Sequence, residues 1–222
     1  MRPKRSIDEL LEIMSRLRGP GGCPWDRQQN HKTLCHHAIE EVYELLDAIE
    51  AGDDSEIAEE LGDLLLQVIF HCQMAKERGA FDFEVVCRRL ADKLIHRHPH
   101  VFGNKTVHTA KAVLAQWDHL KHAEKKGTTR ERASALDGIP KHLPALMRAE
   151  KLVKKARKAN LLCKPPTSLH LTRERLAKQL FALAEFAQRK GWSAEQLLAA
   201  ECRRMEKFFR RRELKGMNRF KG

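Results

Sequence analysis

Apolar positions recur with a helical period along most of this 222-residue chain. Ala38, Val42, Leu45 and Ile49 share one face at 100° per residue, and Ile57, Leu61, Leu64, Val68 and Cys72 form a second stripe of the same kind. The pattern predicts one amphipathic helix ending near Gly52 and another from Ser55 to about Arg78, joined by the short turn Gly52-Asp53-Asp54-Ser55. Upstream, Ser6-Ile7-Asp8-Glu9 has the form of a capping box, opening a helix through Leu17 that the run Gly19-Pro20-Gly21-Gly22 stops. A loop is expected from Cys23 to about Asn30. A fourth helix should run from about Phe83 to Arg97, because Pro99 disfavours helical geometry at His98. With a single Tyr and few β-branched runs, no strand pattern competes. The fold class is all-α, and four such helices suffice for a bundle.

Beyond the bundle, Thr109 can cap a helix carrying Trp117 and Lys121 that ends at Gly127. Residues 128–144 read as a linker punctuated by Gly138, Pro140 and Pro144. A basic helix to about Asn160, a break at Pro165-Pro166, a helix from Thr172 to Lys190 and a last helix opened by Ser193 complete the chain. The expected organisation is a helical domain over 1–127, a linker over 128–144 and a basic helical module over 145–222.

The candidate chemistry lies in the two central helices. Glu41 with Glu44, and Glu60 with Asp63, are carboxylate pairs three residues apart, each flanking its apolar stripe in the same angular relation. Exposed like charges at this spacing cost about 0.2–0.5 kcal/mol per pair, and two pairs brought together cost more. A hard divalent cation removes that penalty. Mg²⁺ suits the arrangement because it takes oxygen ligands and completes its shell with water and substrate phosphates. The plainer reading of either pair alone is a solvated helix face; two pairs on consecutive helices shift the balance toward a metal site.

Charge sharpens the division of the chain. The net charge of +12 is uneven: residues 1–103 hold 13 Lys and Arg against 19 Asp and Glu, and residues 104–222 hold 29 against 11. An acidic half that concentrates cations beside a basic half that attracts polyanions fits a nucleotide substrate, and equally a nucleic-acid contact. Six cysteines without a CxxC pair read as reduced core thiols rather than a disulfide framework or zinc site. No stretch approaches the roughly 20 apolar residues of a membrane span, and Met-Arg-Pro-Lys-Arg lacks the apolar segment of a secretory signal, so a cytoplasmic protein is expected.

The block Glu40-Glu41-Val42-Tyr43-Glu44, followed by Glu59-Glu60-Leu61-Gly62-Asp63, resembles the metal-binding signature of the MazG family of all-α nucleoside triphosphate pyrophosphohydrolases. Gly22-Cys23-Pro24-Trp25-Asp26 upstream and Arg97-His98-Pro99-His100-Val101-Phe102-Gly103 downstream agree with it. The likeness runs from about Ser6 to Lys126 and continues more weakly beyond. It implies Mg²⁺-dependent hydrolysis of a nucleoside triphosphate between the α and β phosphates, giving a monophosphate and pyrophosphate. Glu41, Glu44, Glu60 and Asp63 would hold the metal, with Glu40 and Glu59 beside them to orient a water or act as base. Lys93 and Arg97, one turn apart, match the family's phosphate contacts, and Trp117 with Lys121 its base-side contact; Trp25 is a further stacking candidate.

Leu180–Ala187, Gly191 and Met205–Arg211 resemble the second half of the family's repeated domain, but Arg175 and Lys178 stand where acids would be expected. The C-terminal module therefore reads as a degenerate second repeat, used for dimerisation or regulation, and a homodimer is expected. The competing function is a basic helical nucleic-acid-binding protein without catalysis, resting on Lys151–Lys164 and Arg203–Lys221 with Phe208 and Phe209 interleaved. A di-iron bundle is excluded, since it needs Glu-x-x-His on two helices and no Glu here has a His three residues later. His96, His98 and His100, separated by Pro99, suit turn structure better than zinc.

Overall fold

The computed structural model describes residues 6–104, 106–107, 109–124, 127–128, 131, 133–162 and 171–219, the side chains of 118, 119, 122 and 216–219 excepted. Among these residues the fold is all-α: α1 (Ser6–Arg18), α2 (Pro24–Gln28), α3 (Cys35–Ala51), α4 (Asp54–Glu77), α5 (Phe83–Arg97), α6 (Pro99–Phe102), α7 (Ala110–Ala123), α8 (Ala145–Lys158), α9 (Arg173–Arg189) and α10 (Ala194–Arg219). Cys163, the Pro165-Pro166 break and Lys221 of the basic tail lie outside the described residues.

The chain divides into two compact units, residues 1–117 and 118–222. The division falls inside α7, upstream of the boundary expected near Gly127. The segment read as a linker is more than that: its Leu136 is 1% exposed and joins Leu152, Ala156, Leu161 and Phe209 in the core of the second unit. An apolar residue among turn formers carries no periodic signal, so only its tertiary neighbours could reveal it. Lys155 Nζ donates to the carbonyls of Ala135 and Asp137, fixing the same turn onto α8.

In the first unit, α3 and α4 form the principal helical hairpin. Gly52 closes α3 in the left-handed region at φ 72°, where a side chain would be strained, and its N–H reaches the carbonyls of Ala48 and Ile49. Asp53 then caps α4, accepting from the backbone N–H groups of Ser55 and Glu56. Removing this cap by Asp53→Ala is expected to lower unfolding free energy by about 1 kcal/mol, read from denaturant titration, while Asp53→Asn should restore most of it.

The apolar stripes expected from periodicity are only partly buried. On α4 the buried side chains are Gln67, Ile69, Phe70, Cys72, Met74 and Ala75, whereas Leu61 and Val68 are exposed, as are Val42 and Ile49 of α3. The reason is that the core forms at one end of the hairpin. There Met14 of α1 and Leu34, just before α3, pack against Ile69, Phe70 and Met74. Around the acidic end, α3, α4 and α5 each leave apolar side chains in solvent, among them Ile39, Leu46, Leu65, Leu90 and Leu94.

Two smaller expectations are corrected. The segment after Cys23 contains the short helix α2, started by Pro24 at the position where its missing N–H costs nothing. Core thiols are found at Cys72 and Cys202, but Cys35 and Cys87 are exposed and Cys23 is half-buried. No helix among the described residues is long and apolar enough to cross a membrane.

Candidate functional site

The hairpin brings the acids together because its strands of helix run antiparallel from the Gly52 turn, placing the middle of α3 against the first half of α4. Glu41, Glu60 and Asp63 each offer a carboxylate oxygen within 4.8 Å of the others, all three side chains half-buried. They are the sole group of three potential metal ligands among the described residues. Glu44 is exposed and outside this trio, yet it acts on it. Burial is the first cause of the raised pKa of Glu41, ahead of Asp63 and Glu44 as like charges and against a hydrogen bond from Gln67 that lowers it. Glu60 is raised in the same way, by burial and then by Glu44, Asp63, Glu41 and Glu59. All four acids of the signature therefore share one electrostatic field.

These residues fit a hard divalent cation. The donors are all carboxylate oxygens, which select Mg²⁺, Mn²⁺ or Ca²⁺ over softer ions. Oxygens on one octahedral Mg²⁺ stand roughly 3–4 Å apart at its usual bond length, so three carboxylate oxygens within 4.8 Å of one another close on an ion by side-chain rotation. Glu60 also keeps one oxygen, Oε2, shielded from solvent without a hydrogen-bond donor. A shielded, unmatched anion of this kind is costly unless a cation joins it.

The sign of the pH dependence follows. A carboxyl whose folded pKa is raised contributes stability below its unfolded pKa and loses it as pH rises through the folded value. The metal-free protein should thus be strained at this site at pH 7.5 and progressively relieved as pH falls through the raised folded values. Thermal melting is expected to rise with millimolar Mg²⁺, more at pH 7.5 than at pH 5, by an amount equivalent to about 2.7 kcal/mol when the ion reaches 100 times its Kd. Melting temperatures indifferent to Mg²⁺ at both pH values would show that these carboxylates hold no ion.

Gln67 was not visible as a site residue from sequence. It is buried on α4, and its Nε2 donates to Glu41 Oε1 at 3.2 Å. Its spacing from Glu60, seven residues or two turns, places it on the same face, and that spacing is the signal that could have found it. It fixes the rotamer of Glu41 across the helix interface.

The other candidates are placed as follows. Glu40 turns away from the trio: its Oε2 lies 3.4 Å from His36 Nδ1 and 3.3 Å from His37 Nδ1. Glu59 is exposed on α4 beside Glu60. Trp25 is 52% exposed, its ring edge-on to His37 at 6.0 Å and to Phe70 at 6.5 Å. His37 precedes Glu41 by one turn, so Trp25 stands alongside the acidic segment of α3. Lys93 is exposed and Arg97 half-buried on α5, one turn apart; neither is among the main influences on Glu41 or Glu60. Trp117 packs edge-on to His98 at 5.0 Å, and the exposed Lys121 lies past the division of the chain. The ring of His98 bonds the carbonyl of Leu94, and His100 lies 5.6 Å away, a helix-end arrangement. Phe209 is a core residue of the second unit, which removes it from the aromatic surface expected beside the basic tail.

Residues 29–102 match the MazG nucleotide pyrophosphohydrolase domain. The chain is 49% identical over 150 residues to a nucleoside triphosphate pyrophosphohydrolase of Escherichia coli, a match covering 67% of this chain and 56% of that protein. It is 43% identical over 179 residues to the nucleoside triphosphate pyrophosphohydrolase/pyrophosphatase MazG of Thermotoga maritima, covering 81% and 66%. A similar protein of Mycolicibacterium smegmatis, also named a nucleoside triphosphate pyrophosphohydrolase, is 37% identical over 161 residues, covering 72% and 48%. The chain thus spans between about half and two-thirds of the length of these relatives. Among solved structures, a mazG-related protein from Thermotoga maritima aligns at 27% identity with a TM-score of 0.44, over 51% of this chain and 97% of that one.

Proposed function

Since this chain belongs to the MazG family, we propose that its first unit hydrolyses nucleoside triphosphates to a monophosphate and pyrophosphate with Mg²⁺ as cofactor. The observation that supports this most is the convergence of Glu41, Glu60 and Asp63 from two helices inside the matched segment. The reaction adds water across the α–β phosphoanhydride: a P–O bond to the water oxygen forms, the bridging bond breaks, and the proton is taken up by base or solvent. Its barrier is dominated by crowded negative charge. A bound Mg²⁺ would supply charge neutralisation and acidify a ligated water.

The chain's own groups do the rest. Glu41, Glu60 and Asp63 hold the ion, Glu44 completes the acidic field, and Gln67 keeps Glu41 turned toward the trio. Glu59, beside Glu60 and exposed, is the candidate base; Glu40, whose carboxylate is turned to His36 and His37, is set aside from that role. Lys93 and Arg97 on α5 take the pyrophosphate oxygens, Arg through paired hydrogen bonds and Lys as a point charge. Trp25 and Trp117, both in the first unit, serve the base side, where an aromatic face accepts any base. A cytoplasmic setting, where free nucleotides are found, belongs to the same reading.

The active form in this reading is a homodimer. The apolar side chains that α3, α4 and α5 leave in solvent lie on three neighbouring elements of one unit, and clustered exposed apolar residues of this kind mark interaction surfaces. A second copy can cover them with the same faces. Light scattering is expected to give twice the chain mass, and Leu46→Glu to shift it to the monomer; a wild-type monomer at micromolar concentration would refute the pairing. For the reaction, the purified protein with Mg²⁺ and a panel of triphosphates should release monophosphate and pyrophosphate. Release of inorganic phosphate instead, or turnover undiminished in EDTA, would overturn the reading.

A further inference from the structure

The second unit contains a cavity of about 530 Å³, within the range of ordinary small-molecule sites. It lies among the turn at 136–141, α8 and α10. Five basic and two acidic side chains meet there. The two acids are already matched within the fold. Asp137 pairs with Arg210 at 2.8 Å and accepts the N–H of Ser134. Glu206 accepts from Arg210 at 2.8 Å through one oxygen and from Arg148 at 2.9 Å through the other. Burial works to raise both carboxyls, but the hydrogen bonds outweigh it and both are held below the usual range. Two arginines thus neutralise two carboxylates, and three cations are left over.

Those three are Lys141, Arg203 and Lys207, all exposed and with no hydrogen bond or ion pair from their charged groups among the described residues. Arg203 and Lys207 are one turn apart on α10 and so face the same way. Beneath them Arg148 is 9% exposed at its side chain, lines the cavity, and keeps its Nε shielded from solvent without an acceptor. A buried guanidinium with a donor unused is rare in a folded protein, since leaving it unmatched is costly. Here it stands at the floor of a cavity with a surplus of positive charge, which calls for an anion with several oxygens.

We propose that this cavity is a binding site for a diphosphate group, free as pyrophosphate or carried by a nucleotide, that works without a metal ion. The surplus of three charges matches a diphosphate better than a monophosphate, and the apolar lining comes from Leu136 and Ile139, which offer nothing to read a base. The site differs in kind from the carboxylate trio of the first unit. There an anion needs a cation as intermediary; here lysine and arginine side chains meet it directly. Its existence does not depend on the hydrolytic reading.

The test is calorimetric titration of the full chain in excess EDTA at 50 mM salt, which silences any metal-dependent site. Pyrophosphate and ADP are expected to bind one per chain with similar affinity, AMP at least tenfold more weakly, and 200 mM salt should weaken pyrophosphate severalfold. The double variant Arg203→Gln/Lys207→Gln, which touches only exposed side chains, should weaken pyrophosphate at least tenfold with an unchanged circular dichroism spectrum. Glu41→Gln should bind it as the wild type does. The proposal fails if pyrophosphate does not bind without metal, if its binding survives the double variant, or if Glu41→Gln abolishes it. AMP binding as tightly as ADP would fail it too, as would a single-stranded oligonucleotide that binds where pyrophosphate cannot compete.

Discussion

Glu41→Gln is expected to reduce Mg²⁺-dependent pyrophosphate release by at least about 10²-fold, the order lost when one preorganised electrostatic group is removed from such a site. The substitution keeps shape and the contact with Gln67, whose amide can still bond a side-chain carbonyl. It removes the one charge that α3 contributes to the trio. Because Glu41 is destabilised by burial and by Asp63 and Glu44, the metal-free variant should melt no lower than the wild type at pH 7.5. Its gain in melting temperature on adding Mg²⁺ should shrink. The pairing of lost activity with retained or improved metal-free stability separates a ligand from a structural residue. An active Glu41→Gln enzyme, or an inactive one that is unfolded, would sink the assignment. Glu60→Gln and Asp63→Asn should follow the same pattern.

The second large effect falls on stability. Arg18 ends α1 with its side chain 8% exposed, and every nitrogen of its guanidinium makes a hydrogen bond. Its Nε and one terminal nitrogen bond both oxygens of Glu77 at 2.8 Å. Its other terminal nitrogen donates to the carbonyls of Asp26 and Gln29, and its carbon lies 5.3 Å from the centre of the Phe70 ring. One side chain therefore ties α1, the end of α2 and the end of α4 together. Arg18→Ala is expected to cost about 2–4 kcal/mol, since it strands a carboxylate and two carbonyls at a half-buried junction. Arg18→Lys should recover only part, because an ammonium cannot supply the fork. Chemical denaturation followed by circular dichroism measures both, and a loss below about 0.5 kcal/mol would mean the junction is held by its apolar contacts alone. The Glu77 carboxyl is lowered, first by its hydrogen bond from Arg18. Its contribution is present above the usual glutamate value and disappears as pH falls through the folded one.

The helices were legible because their causes are local. Gly52 at φ 72° after α3, Asp53 capping α4, Asp82 capping α5 and Thr109 beside α7 each act within a few residues of themselves. The carboxylate pairs were legible for the same reason, since a spacing of three on a helix fixes a common side whatever the fold does. Gln67 was not, because its two-turn spacing from Glu60 fixes its face of α4 but does not distinguish a glutamine aimed at Glu41 from one in solvent. Nor was Leu136, whose neighbours Leu152 and Phe209 arrive from 16 and 73 positions away.

The sequence by itself determined an all-α chain, two acidic helices in register and an uneven charge, because periodicity, capping and side-chain charge act over one or two turns. Tertiary structure alone decided that Glu41, Glu60 and Asp63 meet and that Gln67 reaches Glu41 across the hairpin. It also decided that Val42, Ile49, Leu61 and Val68 of the expected apolar stripes stay in solvent, and that Arg148 lies shielded among a cluster of cations. Those outcomes depend on which elements pack and at what depth, and packing is a relation between distant segments that no local pattern encodes.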